Sequence, residues 1–452
     1  MAKGATHVLG LDIGSKTIKA VELRKTGQGI EMVGRPMIVP TPPRSVDGGV
    51  IIDPPAIVEA LSALIARAGF GTRKAVCSVG GDSSVVVRIT EVPKMTGKEL
   101  EQAIQFELDR QTPFPVDQVI YDYQPIERPD ADPNAANMEV FLAVAQEDMV
   151  NAHVEALMGA KLTPAHVDIE ALAISRALVD AAGDAYADQT VAIVTIGATS
   201  TSIVIVRRKL MAFVRTIPTA GNALTTAVRQ NFAGDDEQAE RFKILFADLG
   251  DGYLGGHEAA PAPAAGVFDT MGDEGSSHGG LEDSVFEESS SHSAGPSAEA
   301  FDVGADGATR LDFEPPAAFQ PPAAAPGATA EVPPAEAAHS QDDPDVAYAK
   351  EVVYEAVGSA LVDLATEIRR SLDFYRRQHR NENIDRVILS GGTASLRGLP
   401  GFIASETGIM SEIADPFAHL IVDSASAPVE YLRNVGPPST CAVGLALRDM
   451  LD

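Results

Sequence analysis

Residues 9–23 read LGLDIGSKTIKAVEL. An apolar run reaches Asp12, a turn follows as Gly14, Ser15, Lys16 and Thr17, and a second apolar run begins. A glycine beside small polar residues lets successive backbone N–H groups converge on an anion. The Ser15 and Thr17 hydroxyls can donate as well, and Lys16 or Lys19 can add positive charge. Asp12, at the strand end, is placed to hold the waters of a Mg²⁺ ion. Taken alone, these residues suit an ordinary hairpin turn as well as half of a phosphate clamp.

Two further glycine turns follow. TIGATST at 195–201 carries Gly197, Ala198 and the hydroxyls of Thr199, Ser200 and Thr201. Thr195 stands where the first turn has Asp12, so a second carboxylate is missing. SGGTASLRGLP at 390–400 puts Gly391 and Gly392 between a buried strand and a helix. There a ribose or base can lie against backbone, near a helix start that favours negative charge; a plain βα turn fits too.

Other polar residues keep two readings. Glu170 opens a helix, where it is either an N-terminal carboxylate or a group reaching a site water. Arg369, Arg370, Arg376, Arg377 and Arg380 lie toward the end of a long helix and complement its dipole. His7, His153 and His166 have no partner pattern and read as structural. Cys77 and Cys441 are far apart in apolar surroundings, so they are read as buried free thiols rather than a disulfide or metal cluster.

The elements around these turns read as two flanks. The first has strands near 7–13, 17–24 and 30–38. A helix at 55–68 follows, with Asp53 as its cap and Ile57, Leu61, Leu64 and Ile65 on one face. KAVCSVG at 74–80 is a buried strand. Residues 85–163 form a β-α-β-β-α unit of their own, whose first helix opens on a Thr96-to-Glu99 capping box and whose last helix is 147–159. AHVDIE and the helix EALAISRALVDAAG resume the first theme. VAIVTIGATSTSIVIVRRKLMAFVRTIP at 191–218 then repeats the opening strand-turn-strand unit. It is followed by helices near 220–232, 235–248 and 346–380, the strand VILSGG, and helices near 399–407 and 438–450. Two halves that each open on a β-turn-β unit suggest an internal duplication.

Between the flanks, residues 251–344 hold 18 acidic residues and one basic residue, Arg310, and 11 of the 30 prolines. Such a stretch buries too little apolar surface to offset its ordering entropy and is read as a disordered insertion. It carries most of the formal charge of −29. With no basic stripe to neutralise phosphates, the chain does not suit general nucleic-acid binding. No apolar run approaches the roughly 18 residues of a membrane span, and the N-terminus shows no secretory signal pattern. A reducing cytoplasm fits.

The three turns in this order resemble those of the actin/Hsp70/sugar-kinase ATPase superfamily: a first phosphate turn at 9–23, a second at 191–206 and an adenosine turn at 387–399. EALAISRAL and STCAVGLALRDM look like its two interdomain connectors. VPKMTGKELEQAIQFELDRQTPFP and TEIRRSLDFYRRQ are closer still to the PilM family, the cytoplasmic actin-like proteins of type IV pilus assembly and twitching motility. The match spans the chain except 251–344.

The resemblance implies an α/β, actin-like (ribonuclease H-like, duplicated) fold with a long disordered insertion. Subdomain 1A would comprise 1–84 and 164–189, 1C 85–163, 2A 190–234 and 381–452, and 2B 235–250 and 345–380. It implies ATP with Mg²⁺ between the lobes. Asp12 would position the metal, and Gly14, Ser15, Lys16 and Thr17 would hold phosphates. Gly197, Ala198 and Thr199 would close from the other side, with Gly391, Gly392 and Arg370 near ribose and adenine. Thr195 replaces an acid of strongly hydrolytic members, so nucleotide binding with slow or no hydrolysis is expected, and no catalytic residue is assigned. The implied partner is the cytoplasmic N-terminal peptide of PilN, bound in a groove between 1A and 1C, together with other platform and motor proteins. The protein would be cytoplasmic and peripheral to the inner membrane without inserting into it. An FtsA-like membrane tether is disfavoured, because no basic amphipathic tail follows LALRDMLD. A small-molecule kinase is disfavoured, because no candidate base lies between the halves.

Overall fold

The computed structural model describes residues 7–81, 84–132, 134–232, 234–250, 344–379 and 382–451. The stretch 251–344, read as an insertion, lies outside the described residues except for Pro344.

The first lobe grows from a hairpin. β1 (His7–Ile13) and β2 (Thr17–Thr26) pair antiparallel from His7↔Arg24 to Ile13↔Ile18. β3 (Gly29–Met32) and β4 (Met37–Pro40) both pair with β2. The sequence suggested one strand at 30–38. Gly34, at φ 70°, splits it in two. A short ladder of β5 (Val46–Asp47) and β6 (Val50–Ile51) leads into α1 (Pro54–Ala68). The Asp53 carboxylate accepts from the Ala56 N–H at 3.1 Å, and Ile57, Leu61, Leu64 and Ile65 turn inward as their spacing dictates. β7 (Lys74–Val79) then lies parallel to β1.

The inserted unit is a separate antiparallel sheet. β8 (Val85–Pro93), α2 (Lys98–Gln111), β9 (Val119–Ile126) and β10 (Asn137–Gln146) give the order β8-β10-β9. α2 covers it with Leu100, Ile104 and Leu108 against Val140, Leu142 and Val144. The capping box does not form. Gly97, at φ 59°, takes the cap position with no side-chain hydrogen bond, so Thr96 falls one residue outside.

α3 (Glu147–Gly159), expected as the last helix of the unit, packs with the first lobe. Its Ala156 and Leu157 join Ile57 and Leu61 in the core there. β11 (Thr163–Ile169) completes the first sheet in the order β11-β7-β1-β2-β3. α4 (Glu170–Ser175) follows and runs into a π-turn over Arg176–Asp180.

The second lobe repeats the first. β12 (Thr190–Ile196), β13 (Thr201–Arg207) and β14 (Leu210–Ile217) form the antiparallel meander. α5 (Gly221–Asn231), α6 (Asp236–Phe246) and α7 (Pro344–Gln378) precede β15 (Arg386–Ser390), α8 (Leu399–Thr407) and β16 (Ser411–Ile413). The sheet order is β14-β13-β12-β15-β16, the same as in the first lobe. Both sheets carry an antiparallel meander on one side of the central strand and two parallel strands on the other. The fold is therefore the duplicated, actin-like α/β architecture.

α9 (Val429–Ala446) begins earlier than the 438 expected from the sequence. It runs through Pro437 and Pro438, and the Pro437 carbonyl accepts from Ser390 Oγ and the Gly391 N–H, both at 3.0 Å. α9 and α4 cross between the lobes at small residues. A Cβ on Gly444 would collide with the Ala173 carbonyl oxygen, and one on Gly10 with that of Ala442. The core around this crossing draws on both sheets, from Val8 and Val76 to Val191 and Ile388. Among the described residues, no helix is long and apolar enough to cross a membrane.

Candidate functional site

The duplication brings the β1–β2 and β12–β13 turns to one cleft of about 380 Å³ between the lobes. The turns are built alike. The Gly14 N–H donates to the Thr17 carbonyl at 3.1 Å, and the Gly197 N–H donates to the Ser200 carbonyl at 3.1 Å. Among the described residues, the N–H groups of Ser15, Lys16, Ala198 and Thr199 have no partner. All four residues line the cleft. Free N–H groups on facing turns form an anion-binding surface.

The registers also match. Asp12↔Lys19 is one pair in from Ile13↔Ile18, and Thr195↔Ser202 is one pair in from Ile196↔Thr201. Thr195 is thus the structural counterpart of Asp12. Its Oγ1 is buried without a partner among the described residues. Asp12 Oδ2 lies 3.0 Å from Lys19 Nζ.

The third turn joins the same cleft. Gly391 has φ 87°, and a Cβ there would strike the Ile196 carbonyl oxygen. Thr393 Oγ1 donates to the Gly197 carbonyl at 3.2 Å, so the second and third turns hold each other. Asp12, Gly14, Ser15, Lys16, Thr17, Gly197, Ala198, Thr199, Gly391 and Gly392 all line the cleft.

Arg370 does not. α7 turns Ile368, Leu372 and Tyr375 into the core. That leaves Arg370 on the outer face, 67% exposed and paired with Glu367. The residue expected near the base thus stands outside the cleft lining, in a surface ion pair.

Several cleft residues were not legible as such. Lys243 and Glu240, on α6, form an i,i+3 pair at 2.8 Å that resembles a surface salt bridge in sequence. Yet Lys243 is buried, and its ammonium also donates to Thr225 Oγ1 at 3.0 Å and to the Gly221 carbonyl at 3.2 Å. Burial pushes its pKa down, Glu240 opposes that, and Lys16 adds to it. His153, from α3, also lines the cleft.

Glu170 stands at the first residue of α4, packed against Gly80 so closely that a Cβ there would meet its Oε2. Burial, with Asp12 adding repulsion, pushes its carboxyl up to about 7 against the pull of Lys19. Both of its readings fit, since Glu170 opens α4 and also lines the cleft. Glu170, Gly80 and Gly81 also line a second cavity of about 270 Å³, walled by β8 and β14.

Two ties cross the cleft's flanks. The Met32 N–H donates to the Ile421 carbonyl at 2.9 Å, and the Ile421 N–H to that of Ile30 at 2.8 Å, joining the second lobe to the β3 edge. On the inserted sheet's side, Asp130 pairs with Arg207, and Arg128 Nη2 donates to the Met211 carbonyl at 3.0 Å.

The family model described as type IV pilus assembly protein PilM matches residues 10–255 and 334–450. Among solved structures, one of a PilM–PilN type IV pilus biogenesis complex is 24% identical, with 98% of each chain covered and a TM-score of 0.69. The ethanolamine utilization protein EutJ from Carboxydothermus hydrogenoformans is 12% identical (98% of this chain, 90% of that one) at a TM-score of 0.47. MreB 5 of Spiroplasma citri bound to AMPPNP is 11% identical (97% and 95%) at 0.42.

Proposed function

The chain belongs to the PilM family of type IV pilus assembly proteins, and on that premise we propose that it is an ATP-binding scaffold of the pilus assembly platform. The observation that carries the nucleotide part is the pair of matched turns, whose free N–H groups line one cleft. Ser15, Lys16 and Thr17 grip phosphates from the first lobe, and Gly197, Ala198 and Thr199 from the second. The unpartnered Thr195 Oγ1 is a further donor into the same space. Gly391 and Gly392 leave room for the nucleoside. Glu240, held by Lys243 on the α6 wall, is an acceptor suited to a ribose hydroxyl.

Asp12 is the carboxylate beside which Mg²⁺ fits, its charge already shared with Lys19. When bound, the ion neutralises phosphate charge. Thr195 supplies no second carboxylate, so turnover is slow or absent. Nucleotide binding acts as a clamp that draws the lobes together and alters the partner surface.

The partner surface in this reading is the junction of the first lobe with the inserted sheet, and the partner is the cytoplasmic N-terminal peptide of PilN, an inner-membrane protein. Membrane association then comes through partners, and the chain links them to the motor machinery. In this reading subdomain 1C is 85–146, subdomain 1A is 1–84 and 147–189, and the divisions of the second lobe are kept. The test is binding of a PilN N-terminal peptide with and without ATP. Retention of the peptide, changed several-fold by ATP, supports the scaffold; no binding in either state removes the partner assignment.

A further inference from the structure

His153 has no role in the sequence reading beyond packing, but its ring is wired for one. It is 1% exposed and lines the nucleotide cleft from α3. Nδ1 lies 2.9 Å from the Met149 carbonyl oxygen. That oxygen can only accept, so Nδ1 carries the proton. Burial holds the imidazole below its usual pKa, outweighing the Met149 carbonyl and Asp12, which favour the imidazolium. Nε2 is then left as an acceptor; the hydrogen bond described for the ring is the one at Nδ1.

A lone pair cannot bind a phosphate oxygen, because both are acceptors. Asp12, which lines the same cleft, adds a carboxylate acceptor. A group that meets Nε2 must bring a hydrogen. A water bound to a cation does so, its oxygen turned to the metal and its hydrogens outward. Among the described residues, no three His, Cys, Asp or Glu side chains group to hold a metal, so a cation here keeps most of its waters.

We propose that His153 is a positioning residue that accepts, through Nε2, a hydrogen bond from a water of hydration of the divalent cation beside Asp12. This rests on the ATP reading above. It assigns the site an outer-sphere partner on α3, outside the three glycine turns.

The test uses the full chain with ¹⁵N-labelled histidine and long-range ¹H–¹⁵N spectra, the His153 signal being assigned with His153→Gln. The Nε2 resonance is expected to move with Mg²⁺ and ATP together, and to stay with ATP in EDTA or with adenosine. In parallel, His153→Phe is expected to raise the Mg²⁺ concentration that half-tightens ATP binding by about tenfold. ATP affinity in EDTA stays unchanged, and His153→Gln, which keeps an acceptor, stays near the parent. A silent Nε2, or one moved equally by adenosine or metal-free ATP, overturns the proposal while leaving the nucleotide site standing. Failure of ATP to bind at all overturns both. The spectral arm needs no substitution at His153 in the sample being read, so it decides even where the phenylalanine variant does not fold.

Discussion

Lys19 Nζ stands 3.0 Å from Asp12 Oδ2, and the two residues face each other across the β1–β2 ladder. The pair is mostly buried in the cleft wall, with side-chain exposures of 14% and 18%. Lys19 therefore tempers the one carboxylate that anionic phosphates must approach. Lys19→Met leaves that charge uncompensated and is expected to weaken ATP binding by roughly ten- to a hundredfold, the range of a charged hydrogen bond. Calorimetric titration checks it. An unchanged affinity would mean that Lys19 serves only the strand pair.

Glu170 makes stability depend on pH. Its carboxyl is raised to about 7, mainly by burial, so the folded state holds its proton more tightly than the unfolded chain does. That stability is fully present below the unfolded value of about 4.3 and is lost as pH rises through about 7. Glu170→Gln removes the term. The variant's melting temperature, compared with the parent's, should gain progressively from pH 5 to pH 8, with the difference levelling off above that. A difference that is flat with pH contradicts the assignment.

The inserted sheet is tied to the second lobe. Arg207 Nη1 donates to Asp130 Oδ1 at 3.1 Å and its Nε donates to Glu382 at 2.5 Å, so one guanidinium spans both units. A double-mutant cycle of Asp130→Ala and Arg207→Ala should give a coupling of about 1 kcal/mol that shrinks with salt, since the pair is partly solvated. Hydrogen exchange in residues 119–146 should rise in either single variant. No coupling and no change in exchange would mean that the sheet is held by packing alone.

The crossing of α4 and α9 has no room for a methyl group. Because a Cβ on Gly444 would collide with the Ala173 backbone, Gly444→Ala must spread the helices that join the lobes. A loss of about 3 kcal/mol or more in denaturant unfolding is expected, at the upper end of overpacking costs. A loss below about 1 kcal/mol would show that the crossing relaxes easily.

Local pattern made much of this legible. The Asp53 cap and the Ile57-to-Ile65 spacing located α1, and two Ile-Gly turns between apolar strands pointed to the duplication that the sheet orders bear out. What the sequence left unread depended on tertiary contacts. α3 follows the inserted sheet in sequence, yet its Ala156 and Leu157 pack on the first lobe, which no periodicity announces. The last helix was expected from 438, but it starts at Val429 and runs through Pro437 and Pro438, with the Pro437 carbonyl taken up by the third glycine turn. Arg370 sits among residues of the right type but on the solvent face of α7. Lys243 and His153 were hidden for the opposite reason, since an i,i+3 pair and a lone histidine look ordinary until burial is known.

The most direct measurement is ATP affinity of the parent, Asp12→Ala and Gly14→Val, with Mg²⁺ present and folding checked by circular dichroism. A Cβ on Gly14 would press on Lys19 Nζ and the Thr17 carbonyl, so valine closes the turn that lines the cleft. The parent should bind, and each folded variant should lose at least about tenfold, equivalent to about 1.4 kcal/mol. Two folded variants that bind ATP as the parent does would contradict the assignment of the first turn as a phosphate clamp.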